Sequence, residues 1–465
     1  MITRAVIEER VREWNLREDV VEKDYVLGWL LWGIGADEDL GRHWVFKGGT
    51  CLKKCYFETY RFSEDLDFTV LPGGPVRAED VQPALVRVLA RVQEQSGIQM
   101  DERPPLLKTH ASGLYTEGRV YYRGPRNAPQ AASIRLDLSA SEQAARPPVL
   151  RTIGHAFPDE LPAPAQVRCY SFEEVFAEKI RAMGERSRPR DLYDIINLYR
   201  RSDLRQHPQL VREVLAEKCR TKGLEVPTMA SLNASPYRAE IETAWEDMLA
   251  HQLPSLPPFA AFWSELSALF AWLEGAPEPA ALPTAPAQEE TEVDWRPPAT
   301  VFTWGQGVAI EPIRFAAANR LCVDLGYQGG TREIEPYALR RSKAGAILLV
   351  AIKTATRETR TYRVDRIESV HVTTKPFTPI YAIEIGGAGP LRIPNITRPR
   401  TEQSSAWRPA AHRPSATHYG PVYIIMCPVC QREFRRHSND SSLRPHKDKH
   451  GWNCSGRTGY LVRME

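Results

Sequence analysis

The chain has 465 residues, 42% hydrophobic and 26% charged, enough for two to four domains with cores of their own. Its 61 Lys and Arg against 58 Asp and Glu leave a net charge of +3, too small to argue for nucleic-acid binding over the whole surface. No apolar run approaches the roughly 20 residues of a membrane span and the first residues are charged throughout, so a cytoplasmic protein with no membrane partner is expected.

Residues 4–34 read as helical, with Val6, Val11, Trp14 and Leu16 leading to a face made by Tyr25, Leu27, Leu30 and Leu31. Glu22, Lys23 and Asp24 on that stretch are expected on a solvated face. Trp44, Val45 and Phe46 suggest a short buried strand, broken by Lys47, Gly48, Gly49 and Thr50, a turn that glycines tolerate easily. A helix should follow. Leu66, Phe68 and Val70 then alternate with Asp65, Asp67 and Thr69, the period of a half-buried strand. That period puts both carboxylates on one face, where they can hold a magnesium ion together with substrate phosphates. A Gly-Gly pair alone is usually a turn, and Asp-x-Asp alone a solvated strand end. The succession of strand, glycine turn, helix and Asp-x-Asp strand is more specific, and is similar to nucleotidyltransferases of the polymerase-beta type.

Residues 79–96 read as an amphipathic helix ending near Gly97, and 120–122 and 133–139 as strands. In the latter, Ile134, Leu136 and Leu138 face one way and Arg135, Asp137 and Ser139 the other. If this strand neighbours the first carboxylate strand, Asp137 completes a triad and is the natural base for an attacking hydroxyl; otherwise it is a solvated strand Asp. Residues 171–183 begin with a capping box of Ser171 and Glu174. Lys179 lies near the buried face of that helix, either snorkelling or meeting a triphosphate as a point charge. In 190–200, Asp191 and Asp194 share a face, and Asp191 is either the partner of Lys179 or paired with Arg188 or Arg190. Residues 206–273 are helical in pattern.

FKGGT at 46–50 and RFSEDLDF at 61–68 closely resemble the AbiEii-type nucleotidyltransferase toxins of bacterial abortive-infection and toxin-antitoxin systems. Glu22 to Tyr25, Lys179 in its Glu-Lys helix, and Arg190, Asp191 and Asp194 resemble further motifs of that family. The resemblance implies an α+β, polymerase-beta-like domain with a helical C-terminal half over residues 1–273. Asp65, Asp67, Asp137, Lys179 and Asp191 would be catalytic, with magnesium on Asp65 and Asp67. Lys47, Gly48, Gly49, Thr50, Lys53, Arg61 and Ser63 would bind a nucleoside triphosphate. It further implies transfer of a nucleoside monophosphate to an acceptor hydroxyl, foremost the 3′ end of a transfer RNA with protein hydroxyls as the alternative, and a cognate antitoxin.

Cys51, Cys55, Cys169, Cys219 and Cys322 are scattered and fit reduced, buried thiols. Residues 274–300, rich in Pro, Ala and Glu, are expected as a linker. In 301–388 the segments 323–327, 346–353, 361–364 and 367–373 read as strands, with Gly329-Gly330 as a hairpin turn, and predict a small antiparallel barrel. YQGGTREIEPYAL and RTYRVDRI resemble the WYL domain, an Sm-like barrel of bacterial regulators, although Ile347, Leu348 and Leu349 replace its namesake residues. Arg332, Arg360, Arg363 and Arg366 are candidates for a phosphate-bearing ligand or nucleic acid, against the plainer reading of charged strand edges. A second linker is expected at 389–421. In 422–465, Cys427-x-x-Cys430 with His446 and Cys454 predicts a zinc knuckle, His450 being the alternative ligand. A reading from another class is a non-catalytic defence regulator that binds nucleic acid or nucleotide through the barrel and knuckle.

Overall fold

The alternating stretches of the first half assemble one mixed sheet. The computed structural model describes residues 1–57, 61–186, 188–205, 207–234, 236–278, 280–286, 291–292, 310–385, 423–436, 442–444, 446–448, 453–455 and 458–464. The sheet comprises β1 (Trp44–Lys47), β2 (Asp65–Val70), β3 (Leu106–Thr109), β4 (Tyr115–Tyr122), β5 (Ala132–Ser139), β6 (Val149–Thr152) and β7 (Gln166–Cys169). Its order is β3-β4-β5-β2-β1-β7-β6, with β2 parallel to β5, β1 parallel to β7, and the other neighbours antiparallel. The strand expected at 133–139 is thus the direct neighbour of the Asp-x-Asp strand.

Of the helices α1 (Arg4–Trp14), α2 (Glu18–Gly35), α3 (Leu40–His43), α4 (Gly48–Cys51), α5 (Ala78–Ser96), α6 (Phe172–Arg186), α7 (Pro189–Arg200) and α8 (Pro208–Lys222), α2 to α5 pack on the sheet, α1 packs on α2, and α7 and α8 pack on α6. The helix expected over 4–34 is two, because Asn15 takes a left-handed φ of 51° that ends α1, a conformation asparagine tolerates better than most residues. The supposed solvated face of α2 is also corrected. Glu22 and Asp24 are each only 2% exposed. Asp24 pairs with Lys54 at 3.0 Å, and Glu22 accepts the backbone N–H of Arg126 at 2.7 Å. A buried charge survives only when so paired. Lys54 belongs to a π-helical turn, Leu52–Tyr56, that continues α4, so the buried pair fastens the segment after the glycines onto α2.

The second half begins with a helix at Ile310–Asn319 and continues as β8 (Leu321–Tyr327), β9 (Gly330–Arg341), β10 (Ile347–Lys353), β11 (Glu358–Arg363) and β12 (Ile367–Pro376), all antiparallel in the order β11-β10-β9-β8-β12. The predicted hairpin turn shifts by one residue: Gln328 and Gly329 carry φ of 51° and 68°, and Gly330 already pairs with Tyr327. The alternation in β9 is obscured by Glu333, Glu335 and Pro336, and Pro336 is accommodated at a bulge facing Val350 and Ala351.

Part of the segment expected as a linker lies against this sheet. Ala285 is buried with Cys322, Tyr337 and Phe377, and Glu292 pairs with Arg341. Residues 293–300 and the second expected linker, 389–421, lie outside the described residues. One hydrophobic cluster runs from the helices at Phe259–Trp263 and Leu266–Leu273 into Ile310, Ile313 and Phe315. At that junction Glu265 accepts Arg200 at 2.6 Å and Arg320 at 2.9 Å.

Residues 397–465 form a separate compact unit. It contains β13 (Tyr423–Met426), β14 (Glu433–Arg436), β15 (His446–Lys447), β16 (Asn453–Cys454) and β17 (Tyr460–Met464), arranged as a three-stranded sheet β14-β13-β17 and a two-stranded ladder β15-β16. No described helix is long and apolar enough to cross a membrane.

Candidate active site

Register places the acidic residues. In β1 and β2, Lys47 stands opposite Asp67, and in β2 and β5, Asp67 stands beside Asp137. Paired residues in neighbouring strands project to the same side, so Lys47, Asp67 and Asp137 make one row across three strands. Asp65 lies two residues earlier on the same face, beside Arg135. The row forms the floor of a cleft of about 450 Å³, whose walls include Gly48, Tyr115, Glu142, Lys179, Arg186 and Lys222.

Burial pushes the Asp67 carboxyl up to about 6; Lys47 pulls against this, while Asp137 and Asp65 add to it. Burial also raises Asp65, opposed by Arg135 and reinforced by Asp137. Asp137 accepts Tyr115 Oη at 3.0 Å and Arg135 Nε at 3.0 Å. Carboxylates that raise one another's proton affinity make a donor set suited to a divalent cation. The oxygens of Asp65, Asp67 and Asp137 do not all come within 4.8 Å of one another, and Asp65 is not among the residues that line the cleft.

The glycine turn sits directly beside this row. Gly48 has φ of +78°, and a Cβ there would overlap Asp67 Oδ2; a Cβ on Gly49 would overlap the Arg61 guanidinium. Thr50 Oγ1 donates to the carbonyl of Asp65 at 2.6 Å, tying the turn to the start of β2. Gly49, Thr50, Lys53, Arg61 and Ser63 do not line the cleft. The Lys53 ammonium is buried 4.0 Å from the centre of the Phe62 ring. Ser63 Oγ and Arg61 back Gly49, and Arg61 grips Asp194 with two hydrogen bonds of 2.7 and 2.8 Å. These residues therefore shape the turn from behind.

Lys179 is at the cleft wall, its Nζ 2.7 Å from Asp194 and 3.3 Å from Asp191. Arg186 holds Asp191 through bonds of 2.9 and 3.0 Å. Although both Asp side chains are fully buried, the cations around them keep their carboxyls below the ordinary range: Arg61 and Lys179 for Asp194, Lys179 and Arg186 for Asp191. Asp194 is the residue that joins Arg61 to Lys179, a role its sequence spacing does not reveal. Glu142, which pairs with Lys47, also went unrecognised, since it follows β5 in a stretch with no periodic signal. Only half of the predicted capping box forms: Ser171 Oγ accepts the Glu174 N–H at 3.3 Å, but the Glu174 carboxylate takes the backbone N–H groups of Ala145 and Arg146 and the Lys218 ammonium.

The four arginines of the second half have different partners. Arg332 and Arg360 both act on Tyr362, whereas Arg363 pairs with Asp365 at 2.8 Å and Arg366 lies exposed beside it; Arg360 pairs with Glu358 at 2.5 Å. In the tail, Cys427, Cys430, His446 and Cys454 present ligand atoms that all lie within 4.8 Å of one another. Strand pairing sets His446 opposite Cys454. His446 Nδ1 lies 2.9 Å from the carbonyl of Arg444, which assigns the ring proton to Nδ1 and frees Nε2 for coordination, 3.3 Å from Cys430 Sγ. The donor set thus fits a tetrahedral metal. His450 lies outside the described residues.

A lysine and two acidic side chains in one row, bounded by a backbone turn that admits no Cβ and by a lysine clamped between buried carboxylates, belong to a nucleotidyltransferase. Comparison with family models agrees, since the model for the nucleotidyl transferase AbiEii toxin of type IV toxin-antitoxin systems matches residues 29–271. That is more than half of the chain, which therefore belongs to the AbiEii family of nucleotidyltransferase toxins. A WYL domain model matches residues 308–372. Among solved structures, MenT4, a nucleotidyltransferase toxin from Mycobacterium tuberculosis, is 22% identical with a TM-score of 0.40, covering 59% of this chain and 90% of that one. The proteasome accessory factor B/C of Arthrobacter aurescens is 14% identical with a TM-score of 0.14, covering 63% of this chain and 41% of that one. No curated protein gives a significant match.

Proposed function

We propose that the first domain transfers a nucleoside monophosphate from a nucleoside triphosphate to the terminal hydroxyl of an RNA, foremost a transfer RNA, and that it acts as a toxin in a toxin-antitoxin or phage-defence system. The observation that carries this reading is the row of Lys47, Asp67 and Asp137 across three adjacent strands beside the Gly48 turn. Asp65 and Asp67 would hold magnesium, which when bound neutralises triphosphate charge and makes the acceptor oxygen a better nucleophile. Asp137, oriented by Tyr115 and Arg135, takes the proton of the acceptor hydroxyl. The acceptor oxygen bonds to the α-phosphorus as the bond to the bridging oxygen of pyrophosphate breaks. Lys179 and Arg186, fixed by Asp191 and Asp194, face the charge that develops on the departing pyrophosphate. Lys47 leaves Glu142 to meet a phosphate oxygen, and Gly48 lets the backbone approach it. In the tail, Cys427, Cys430, His446 and Cys454 bind zinc as a structural ion. The WYL domain offers a surface for nucleic acid.

Incubating the full chain with labelled nucleoside triphosphates, magnesium and total RNA tests the reading. Label should enter a discrete RNA band with wild type and be lost in Asp67→Ala. An active wild type whose label persists in Asp67→Ala, or label entering protein alone, would overturn it.

A further inference from the structure

Cys51, Cys55 and Cys169 were expected as unrelated buried thiols, yet the fold brings their sulfur atoms within 4.8 Å of one another. Cys51 closes α4, Cys55 sits one turn on in the π-helical segment, and Cys169 comes from β7, paired with Phe46 of β1. All three are free thiols with at most 7% exposure. Two structural details set this cluster apart from cysteines that merely fill a core. A π-helical turn, which is rare and costs hydrogen-bond geometry, carries Cys55. Polar groups also attend the sulfurs in an otherwise apolar interior: Tyr56 Oη is 4.0 Å from Cys169 Sγ, and Arg151 donates to the carbonyl of Cys55 at 3.2 Å with its guanidinium over the Tyr56 ring.

We propose that Cys51, Cys55 and Cys169 form a three-thiolate site for a thiophilic d¹⁰ metal ion, zinc or cuprous copper. Three sulfurs that already lie within 4.8 Å need only a small contraction to reach the roughly 2.3 Å sulfur–metal distances such ions adopt. On binding, three S–H protons are released and three sulfur–metal bonds form, with no change of oxidation state. Three thiolates leave a net charge of about −1 with zinc and −2 with cuprous copper; the Arg151 guanidinium, bonded to the Cys55 carbonyl, balances the first and halves the second. The site lies behind the glycine turn: an ion there ties α4 to β7, fixing the segment that starts with Gly48. This last consequence rests on the nucleotide site proposed above, whereas metal binding itself does not.

The test uses the full-length chain carrying Cys427→Ser and Cys430→Ser, which disable the tail site, fully reduced under anaerobic conditions. Zinc and cuprous copper are offered in separate arms, followed by desalting and elemental counting. One retained ion per chain is expected in at least one arm, falling to none on addition of Cys55→Ser. Because a serine could disturb the π-helical turn, titration of the same tail-disabled protein with cadmium, its triad intact, gives a second reading. Its thiolate-to-metal absorption should saturate at one equivalent. No retained ion in either arm, an ion that survives Cys55→Ser, or no absorption with cadmium would overturn the site. Loss of two hydrogens per chain from the triad as purified, marking a disulfide, would do the same.

Discussion

Asp67→Asn tests the electrostatics of the cleft without relying on turnover. Burial, with help from Asp137 and Asp65 and opposition from Lys47, lifts the carboxyl from 3.8 to about 6. A shift of roughly two pH units corresponds to ~3 kcal/mol between the protonated and ionised forms. The folded state binds this proton more tightly than the unfolded chain does. Its contribution is therefore fully present below about pH 4 and lost as pH rises through about 6. Asparagine keeps the shape and removes the titration. In a chelating buffer, urea unfolding of the first domain should find variant and wild type alike near pH 4, and the variant more stable by up to ~3 kcal/mol at pH 8. Magnesium should then stabilise wild type at pH 8 and leave the variant nearly unmoved, because only the ionised carboxylate binds it. A variant less stable than wild type at pH 8 without magnesium, or equal stabilisation of both by the ion, would refute the reasoning.

Asp194→Ala should cost ~3–5 kcal/mol in denaturant unfolding, because it strips a buried carboxylate from both Arg61 and Lys179; a loss under 1 kcal/mol would show that the pair is not held this way. Asp137→Asn should lower kcat by about 100-fold or more with an unchanged melting temperature, and an unchanged kcat would remove Asp137 as the base. Gly48→Ala should abolish nucleotide incorporation, as the added methyl meets Asp67 at a φ that alanine disfavours; wild-type activity would mean that the turn can move aside. Chelation should expose the tail around β15 and β16 to limited proteolysis while the described residues up to 385 stay resistant, and simultaneous cleavage of both would refute a purely local role for the tail ion.

What could be read in the sequence was whatever two or three neighbouring residues decide. The glycine turn and the alternation of Asp65 to Val70 needed only local sterics and strand period, and both stand in the structure. The adjacency of β2 and β5 could only be posed as a condition, since pairing between strands 70 residues apart leaves no local trace. β6 and β7 are not legible because each is four residues long and, unlike the equally short β1, mixes polar with apolar residues instead of presenting an apolar run. Asp194 as a hub, Glu142 at Lys47 and the convergence of Cys169 on Cys51 are products of tertiary packing alone. Nor could the sequence show that Arg61 is bonded to Asp194 and that Lys53 lies over Phe62, contacts made across the fold.

The helix α7 has a use beyond carrying acids. Asp191 and Asp194 lie in its first half, buried behind Lys179 and Arg186 of the cleft wall, while Arg200 at its other end, about 10 Å away along the axis, bonds Glu265 and the carbonyl of Ala318. Glu265 in turn grips Arg320 at the root of the WYL sheet. The helix is thus joined at one end to Lys179 and at the other to the residues that lead into the WYL sheet.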